Sequence, residues 1–144
     1  MLLSDMRKAL AVLWTSSTIL IAAPASAHHS FRAQYDPDQP ITVTGVVTKI
    51  DWMNPHVYFY IDVKNETTGA VENWGFEMGP PHMLQQRGWK RNSMQIGDEL
   101  QVDGTRARDG SLTANARRVM LTATGQVLGA ASSEGQTITT GQPQ

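Results

Sequence analysis

The sequence predicts a small, mainly all-β domain within a chain of 144 residues. Several segments rich in β-branched and aromatic residues alternate apolar and polar positions, which is the period of a half-buried strand. Glycine, proline, asparagine and aspartate separate these segments at short intervals, as turns require. The chain is too short for two full domains, and its 40% hydrophobic content suits a single folded core.

Five strands are predicted, in residues 41–50, 56–63, 71–78, 99–104 and 113–121. In the first of them, Gly45 is expected to produce a bend or a bulge. The second and third strands are expected to form a hairpin across a polar turn at residues 65–69. Because side chains alternate along a strand, His56, Tyr58 and Tyr60 share the face of that hairpin that also carries Glu77.

One short helix is predicted between the third and fourth strands. Pro80 and Pro81 suit its first turn, and Gly88 is expected to end it. Five strands with a helix in this place match the Greek-key barrel of the OB-fold, so we expect a small OB-like barrel, with a β-sandwich as the alternative. Nine residues are predicted to form the core: Val47, Val57, Phe59, Ile61, Trp74, Phe76, Leu100, Val102 and Val119.

The first 27 residues have the features of a secretory signal peptide. Arg7 and Lys8 precede a short apolar stretch, and Ala25-Ser26-Ala27 forms a small-residue cleavage site. An uncleaved membrane anchor is the alternative, but the apolar stretch is shorter than the roughly 20 residues that a spanning helix needs. We therefore predict cleavage after Ala27, no membrane insertion of the mature chain, and a periplasmic or secreted protein.

The mature chain is expected to form one domain over residues 28–128, with an N-terminal arm at residues 28–40. Residues 129–144 are poor in charged and large apolar residues, which predicts a disordered tail. The formal net charge of −1 supplies no basic surface for nucleic acid. The absence of cysteine excludes disulfides, thiolate metal sites and a cysteine nucleophile.

Histidines at the predicted mature terminus suggest a copper site. After cleavage, His28 carries the free α-amine, and an amine with an adjacent imidazole is a ligand set that suits Cu(II). His29 could supply the imidazole instead, and His56 could complete the set. The alternative is that this histidine pair merely follows the cleavage site and stays solvated.

Glu77 could serve such a site by orienting His56, although a half-exposed histidine and a solvated glutamate explain the pattern equally well.

A second hypothesis uses the same sheet face without a metal. Trp52, Asn54, Tyr58, Tyr60 and Glu77 would then bind a small ligand, as sheet faces of OB barrels do. Four arginines late in the sequence could bind an anionic small ligand: Arg106, Arg108, Arg117 and Arg118.

Catalytic motifs of the common hydrolases, phosphate-binding loops and dinucleotide-binding glycine patterns do not occur in the sequence. We therefore expect a binding protein rather than an enzyme. An oxidative copper enzyme built on the terminal histidine is a third, less favoured hypothesis. The ligand could be a metal ion or a small molecule, and a protein partner is left open.

Several motifs in fixed order resemble the secreted bacterial family DUF6152. They are His28-His-Ser-Phe31, Trp52-x-Asn-Pro-His56, Trp74-x-x-Glu77-Met-Gly79, Arg87-Gly-Trp89, Gly97-Asp98 and Arg108-Asp-Gly110, between about residues 28 and 128. The sequence departs from the family pattern in three turns, at residues 79–82, 95–98 and 121–125. The resemblance implies export and the extent of the domain but no activity. It favours His28, His29 and His56 over His82 as functional residues.

Overall fold

The computed structural model describes residues 27–131, with side chains from Phe31 onward. This part of the chain forms six strands and two short helices, so the mainly β class is confirmed. The elements are α1 (Ala27–Gln34), β1 (Tyr35–Asp51), β2 (Tyr58–Lys64), β3 (Val71–Glu77), α2 (Pro81–Gln86), β4 (Glu99–Ala107), β5 (Thr113–Leu121) and β6 (Val127–Gly129). The predicted signal peptide lies outside the described residues except for Ala27.

All six strands belong to one sheet, in the order β3-β2-β1-β4-β5-β6. Neighbours in this order run antiparallel, and β3 also pairs with β5 in parallel. Each of β1 to β5 therefore has a hydrogen-bonded neighbour on both sides. The predicted hairpin of the second and third strands is confirmed, with Tyr58 opposite Glu77 and Ile61 opposite Trp74.

The first strand is longer than the sequence predicted. β1 begins at Tyr35, pairs with β4 as far as Val46, and pairs with β2 from Val46 to Asp51. The predicted arm at residues 28–40 therefore contains helix α1 and the start of β1. Two prolines in this segment, Pro37 and Pro40, interrupt the strand pattern, so the local sequence did not indicate a strand. The β1–β4 register is correspondingly irregular between Tyr35 and Pro40.

Gly45 permits a close approach between β1 and β2. A Cβ atom added at Gly45 would lie 2.5 Å from the backbone oxygen of Asp62 and 2.9 Å from Cγ2 of Val63. The register irregularity between these two strands lies slightly further along, between Val47 and Lys49. The predicted bulge is therefore displaced from Gly45, whose lack of a side chain lets the strands approach.

The predicted core is confirmed, because all nine residues are at most 6% exposed. The rings of Phe59 and Phe76 stack at its centre, with centroids 5.2 Å apart. Helix α2 adds Leu84 to the same cluster, and Trp89 and Leu128 extend it. Helix α2 itself begins and ends close to the predicted residues, and Gly88 follows it with a φ of 92°.

The end of the described chain packs against β5 and the segment after α2. The indole Nε1 of Trp89 donates to the carbonyl of Gly129 (2.9 Å). The backbone N–H of Ala130 donates to the carbonyl of Arg117 (2.9 Å). Strand β6 was not predicted, because three residues are too short to show a period. The predicted tail begins within this packed stretch, and its residues 132–144 lie outside the described part.

None of the helices within residues 27–131 is long and apolar enough to cross a membrane.

Candidate functional site

Glu77 is a buried carboxylate on the face of β3 opposite the core. Its neighbours Phe76 and Met78 belong to the core, so alternation along the strand directs Glu77 to the other side. It is nevertheless only 5% exposed. Its Oε2 lies 2.5 Å from the hydroxyl of Tyr35, and its Oε1 contacts Nδ1 of His56. Burial of a carboxylate is costly unless donors satisfy it, and these two side chains do so.

Backbone hydrogen bonds bring His56 alongside the end of β3. The residue after it, Val57, donates its N–H to the carbonyl of Gly79 and accepts from the N–H of Met78. Both bonds go to the two residues that directly follow Glu77 in the sequence. They fix the position from which the imidazole reaches the carboxylate.

Tyr35 reaches Glu77 from the other side, at the junction of α1 and β1. It pairs with Ala107 of β4 and is 1% exposed. Burial raises the pKa of Tyr35 above its ordinary value, and the hydrogen bond and charge of Glu77 raise it further. The phenol therefore stays protonated at neutral pH and acts as a donor to the carboxylate.

Hydrogen-bond direction sets the tautomer of His56. The side-chain amide of Gln34 donates to the Tyr35 hydroxyl (3.2 Å), which in turn donates to Glu77. Because a carboxylate can only accept, Nδ1 of His56 carries a hydrogen. In the neutral imidazole, Nε2 then has the free lone pair. The His56 side chain, which carries this Nε2, is 36% exposed to solvent.

We call these four side chains the Glu77 cluster: Tyr35, His56, Tyr58 and Glu77. Tyr58 joins it because it lies directly opposite Glu77 in the β2–β3 register. Burial raises the pKa of Tyr58, and the charge of Glu77 adds to this effect. The cluster therefore contains one carboxylate, one imidazole and two phenols that remain protonated at neutral pH.

Asn115 is a buried polar residue next to the Glu77 cluster. It is the register partner of Glu77 in the parallel β3–β5 pairing and of Thr105 in the β4–β5 pairing. It is 1% exposed, and within the described residues neither polar atom of its side chain has a hydrogen-bond partner. A buried amide in this condition is unusual in a folded protein.

The predicted copper ligands are only partly described. His28 and His29 belong to helix α1, and their side chains are outside the described atoms. With a helical rise of about 1.5 Å per residue, the backbone of His28 is about 10 Å from that of Tyr35. Within the described side chains, no group of three histidines, cysteines or carboxylates comes together as a metal site would require.

Helix α1 is fixed to the body of the domain at its end. Arg108 donates its backbone N–H to the carbonyl of Gln34 (2.9 Å) and its Nε to the carbonyl of Arg32 (2.7 Å). The guanidinium also pairs with Asp36 (3.3 Å), and the ring of Phe31 lies 5.3 Å from that of Tyr35. The chain that leads from the histidine pair to the Glu77 cluster is thus held on both sides of Tyr35.

The residues predicted for a non-metal ligand do not all meet. Tyr58 and Glu77 lie together, whereas the ring of Tyr60 lies over Gly75 and below Lys49, whose Nζ is 5.1 Å from the ring centroid. Trp52 is partly buried and packs against the core. Asn54 is exposed in the turn before β2.

Three of the four late arginines have partners of their own. Arg106 lies over the ring of Trp74 with Cζ 5.5 Å from its centroid, Arg108 holds α1, and Arg118 pairs with Asp103 (2.9 Å). Burial raises the pKa of Asp103, but the hydrogen bonds from Arg118 and Thr42 and the charges of the neighbouring arginines together hold this pKa below its usual range. These arginines therefore do not converge on a common anion.

Two residues of this region, Tyr35 and Asn115, were not predicted from the sequence. Tyr35 falls in the segment predicted to be an arm, and its partner Glu77 is 42 residues away. Asn115 lies within a correctly predicted strand, where an asparagine resembles any solvated position. No local pattern distinguishes either residue.

Comparison with known proteins agrees with the resemblance noted in the sequence. No curated protein matches the chain. Residues 17–116 match the model of a family of unknown function, DUF6152. The match includes Tyr35, His56, Glu77 and Asn115, so the whole site lies inside the family region. Since it spans more than two thirds of the chain, the protein belongs to the DUF6152 family.

Proposed function

We propose that this protein is an exported Cu(II)-binding protein. Its ligands would be the α-amine and imidazole of His28 at the mature N-terminus and the imidazole of His56, with His29 able to replace the His28 imidazole. The single observation that carries the proposal is the contact of Nδ1 of His56 with the buried carboxylate of Glu77.

Histidine ligands of metals characteristically donate their second ring N–H to a carboxylate. This contact fixes the ring and leaves the other nitrogen free to bind the metal. His56 has this arrangement, because Glu77 accepts from Nδ1 and the side chain is partly exposed. A histidine that served only to pack the turn before β2 would not need a buried carboxylate as its partner.

The position of helix α1 supports a second set of ligands from the mature N-terminus. Helix α1 carries His28 and His29 and leads directly into Tyr35, which contacts the same carboxylate as His56. An amine and imidazole nitrogens in one plane favour Cu(II), which also has the highest affinity among the divalent first-row metals. The proposal depends on cleavage after Ala27 and therefore on export.

We also propose that the sheet is an OB-like barrel. Strand pairings lead from β1 through β2, β3, β5 and β4 and back to β1, and the β3–β5 pair is the parallel one. The helix α2 follows β3, as expected for this topology. In this architecture the Glu77 cluster lies on the outer face of the barrel, and Gln34 at the end of α1 reaches it through the hydroxyl of Tyr35.

Retaining three residues before His28 is expected to abolish tight Cu(II) binding. The protein is exported through its own signal, its terminus is verified by intact mass, and Cu(II) and Zn(II) are titrated by calorimetry. The comparison protein retains Ala25, Ser26 and Ala27, which converts the His28 amine into an amide, separates the new α-amine from the histidine pair and preserves every imidazole. One tight Cu(II) site in the native protein and only weak binding in the extended one supports the proposal. Equal weak binding in both refutes it.

Replacing His56 with alanine is expected to weaken Cu(II) binding by at least about tenfold, since even a residue that only supports a ligand typically contributes 10–100-fold. His82→Ala is the matched control, because His82 is exposed on helix α2 outside the Glu77 cluster. Competition titration against a chelator of known affinity measures both variants. Equal affinities in the two variants would show that His56 is not a ligand.

A metal-independent binding protein is the second candidate. The buried amide of Asn115 beside Glu77, which has no hydrogen-bond partner among residues 27–131, favours a small polar ligand at this face. Tyr58→Ala separates the two candidates: loss of ligand binding with intact Cu(II) affinity would favour the second.

A further inference from the structure

We propose that Tyr35 is a positioning residue of the copper site, which fixes the Glu77 carboxylate and thereby the tautomer of His56. This inference rests on the proposed function, because it deepens the role of the same site. Tyr35 would touch neither the metal nor its ligands. It would act through the one carboxylate that both its hydroxyl and His56 contact.

The two oxygens of Glu77 have separate donors. Oε2 accepts from the Tyr35 hydroxyl at 2.5 Å, and Oε1 contacts Nδ1 of His56. A carboxylate that is held at one oxygen presents the other in a fixed direction. The hydroxyl of Tyr35 therefore determines where the acceptor for His56 lies.

The surroundings of Tyr35 leave its hydroxyl only one direction in which to donate. The amide of Gln34 donates to that hydroxyl, so the hydroxyl proton is directed to Glu77. Burial and the neighbouring carboxylate raise the pKa of Tyr35, which keeps the proton in place at any pH at which the protein would function. Arg108 contacts the residues on both sides of Tyr35, through the backbone carbonyl of Gln34 and the side-chain carboxylate of Asp36.

The consequence for His56 concerns which ring nitrogen can bind a metal. A neutral histidine in water prefers the tautomer with hydrogen on Nε2, in which that nitrogen has no lone pair to offer. A fixed acceptor at Nδ1 favours the opposite tautomer. Without the Tyr35 hydroxyl, Glu77 can rotate away and the imidazole returns toward the non-binding form.

Tyr35 also joins the two parts of the proposed ligand set. It directly follows helix α1, which carries His28 and His29, and it contacts the carboxylate that holds His56. The two parts are separated by more than 25 residues in the sequence. A single buried hydroxyl therefore links the N-terminal ligands to the distant imidazole.

Tyr35→Phe tests this inference, because it removes one oxygen and keeps the ring that packs against Phe31. Two quantities are measured on the exported protein: the ¹⁵N chemical shifts of the His56 ring without metal, and the Cu(II) affinity. We expect the Nδ1–H tautomer to be the main form in the wild type and to decrease in the variant. We expect Cu(II) affinity to fall by roughly tenfold, at the lower end of the effect of residues that support a ligand.

Tyr60→Phe is the control, because the Tyr60 hydroxyl makes no hydrogen bond to Glu77 and its ring lies over Gly75. Gln34→Ala is a second variant that leaves the buried ring in place, since Gln34 is exposed. It should shift the tautomer in the same direction by a smaller amount. It also keeps the inference testable if Tyr35→Phe fails to fold.

The two readouts distinguish this inference from the proposed function. A wild-type protein without tight Cu(II) binding refutes the proposed function. The ¹⁵N shifts of the His56 ring in the metal-free protein still test whether Tyr35 determines the tautomer. A Tyr35→Phe variant with an unchanged tautomer overturns the inference whatever the copper result. A changed tautomer with unchanged Cu(II) affinity overturns its connection to the metal.

Discussion

Replacing Phe76 with alanine is expected to lower the free energy of unfolding by about 3–5 kcal/mol. Phe76 is fully buried and stacks on Phe59, and its ring centroid is 6.3 Å from that of Trp74. Its neighbour across the parallel pairing is Ala114, which is too small to fill the space left by the ring. The cavity therefore remains, and its contribution adds to the lost burial of the side chain.

Urea unfolding of the two proteins measures this effect, and Val71→Ala is the control. Val71 belongs to the same strand but is 67% exposed, so its replacement should change the free energy of unfolding by no more than about 0.5 kcal/mol. The folded fraction of Phe76→Ala should keep the Cu(II) affinity of the wild type, because Phe76 and Glu77 lie on opposite faces of β3. A loss below about 1 kcal/mol would contradict the stacked core.

Alternation along β2 and β3 explains why the core face and the opposite face of this hairpin were predicted correctly from the sequence. Phe59 and Ile61 lie two positions apart on β2, and Trp74 and Phe76 lie two positions apart on β3. Alternation along each strand therefore places each pair on one side of the sheet. The same alternation predicts that Glu77 lies opposite the core, on the face that carries Tyr58. These predictions succeed because they depend on neighbours within one hairpin.

Contacts between distant segments could not be predicted in the same way. The parallel pairing of β3 with β5 joins segments on either side of α2 and β4, and the Tyr35 hydroxyl reaches Glu77 across 42 residues. No repeat or hydrophobic period in the sequence indicates either contact. The sequence could therefore suggest that Glu77 orients His56, but not that a buried tyrosine holds the carboxylate.

Replacing Glu77 with glutamine is expected to weaken both the fold and the proposed copper site. Glutamine has nearly the same shape, but its side chain offers one acceptor oxygen and one donor nitrogen. The Tyr35 hydroxyl and Nδ1–H of His56 both need an acceptor, so one of them loses its partner unless the imidazole changes tautomer. A buried group without its partner typically destabilises a protein by about 1–3 kcal/mol. Urea unfolding measures this loss.

The same substitution should weaken Cu(II) binding by roughly 10–100-fold, as measured by competition titration. If the amide nitrogen faces His56, the imidazole must accept at Nδ1 and carry its hydrogen on Nε2, where the metal would bind. The ring shifts of His56 report this change before any metal is added. Phe76→Ala provides the comparison, because it should destabilise the protein more and leave the tautomer unchanged. A Glu77→Gln protein that is less stable but binds Cu(II) as tightly as the wild type would restrict Glu77 to a structural role.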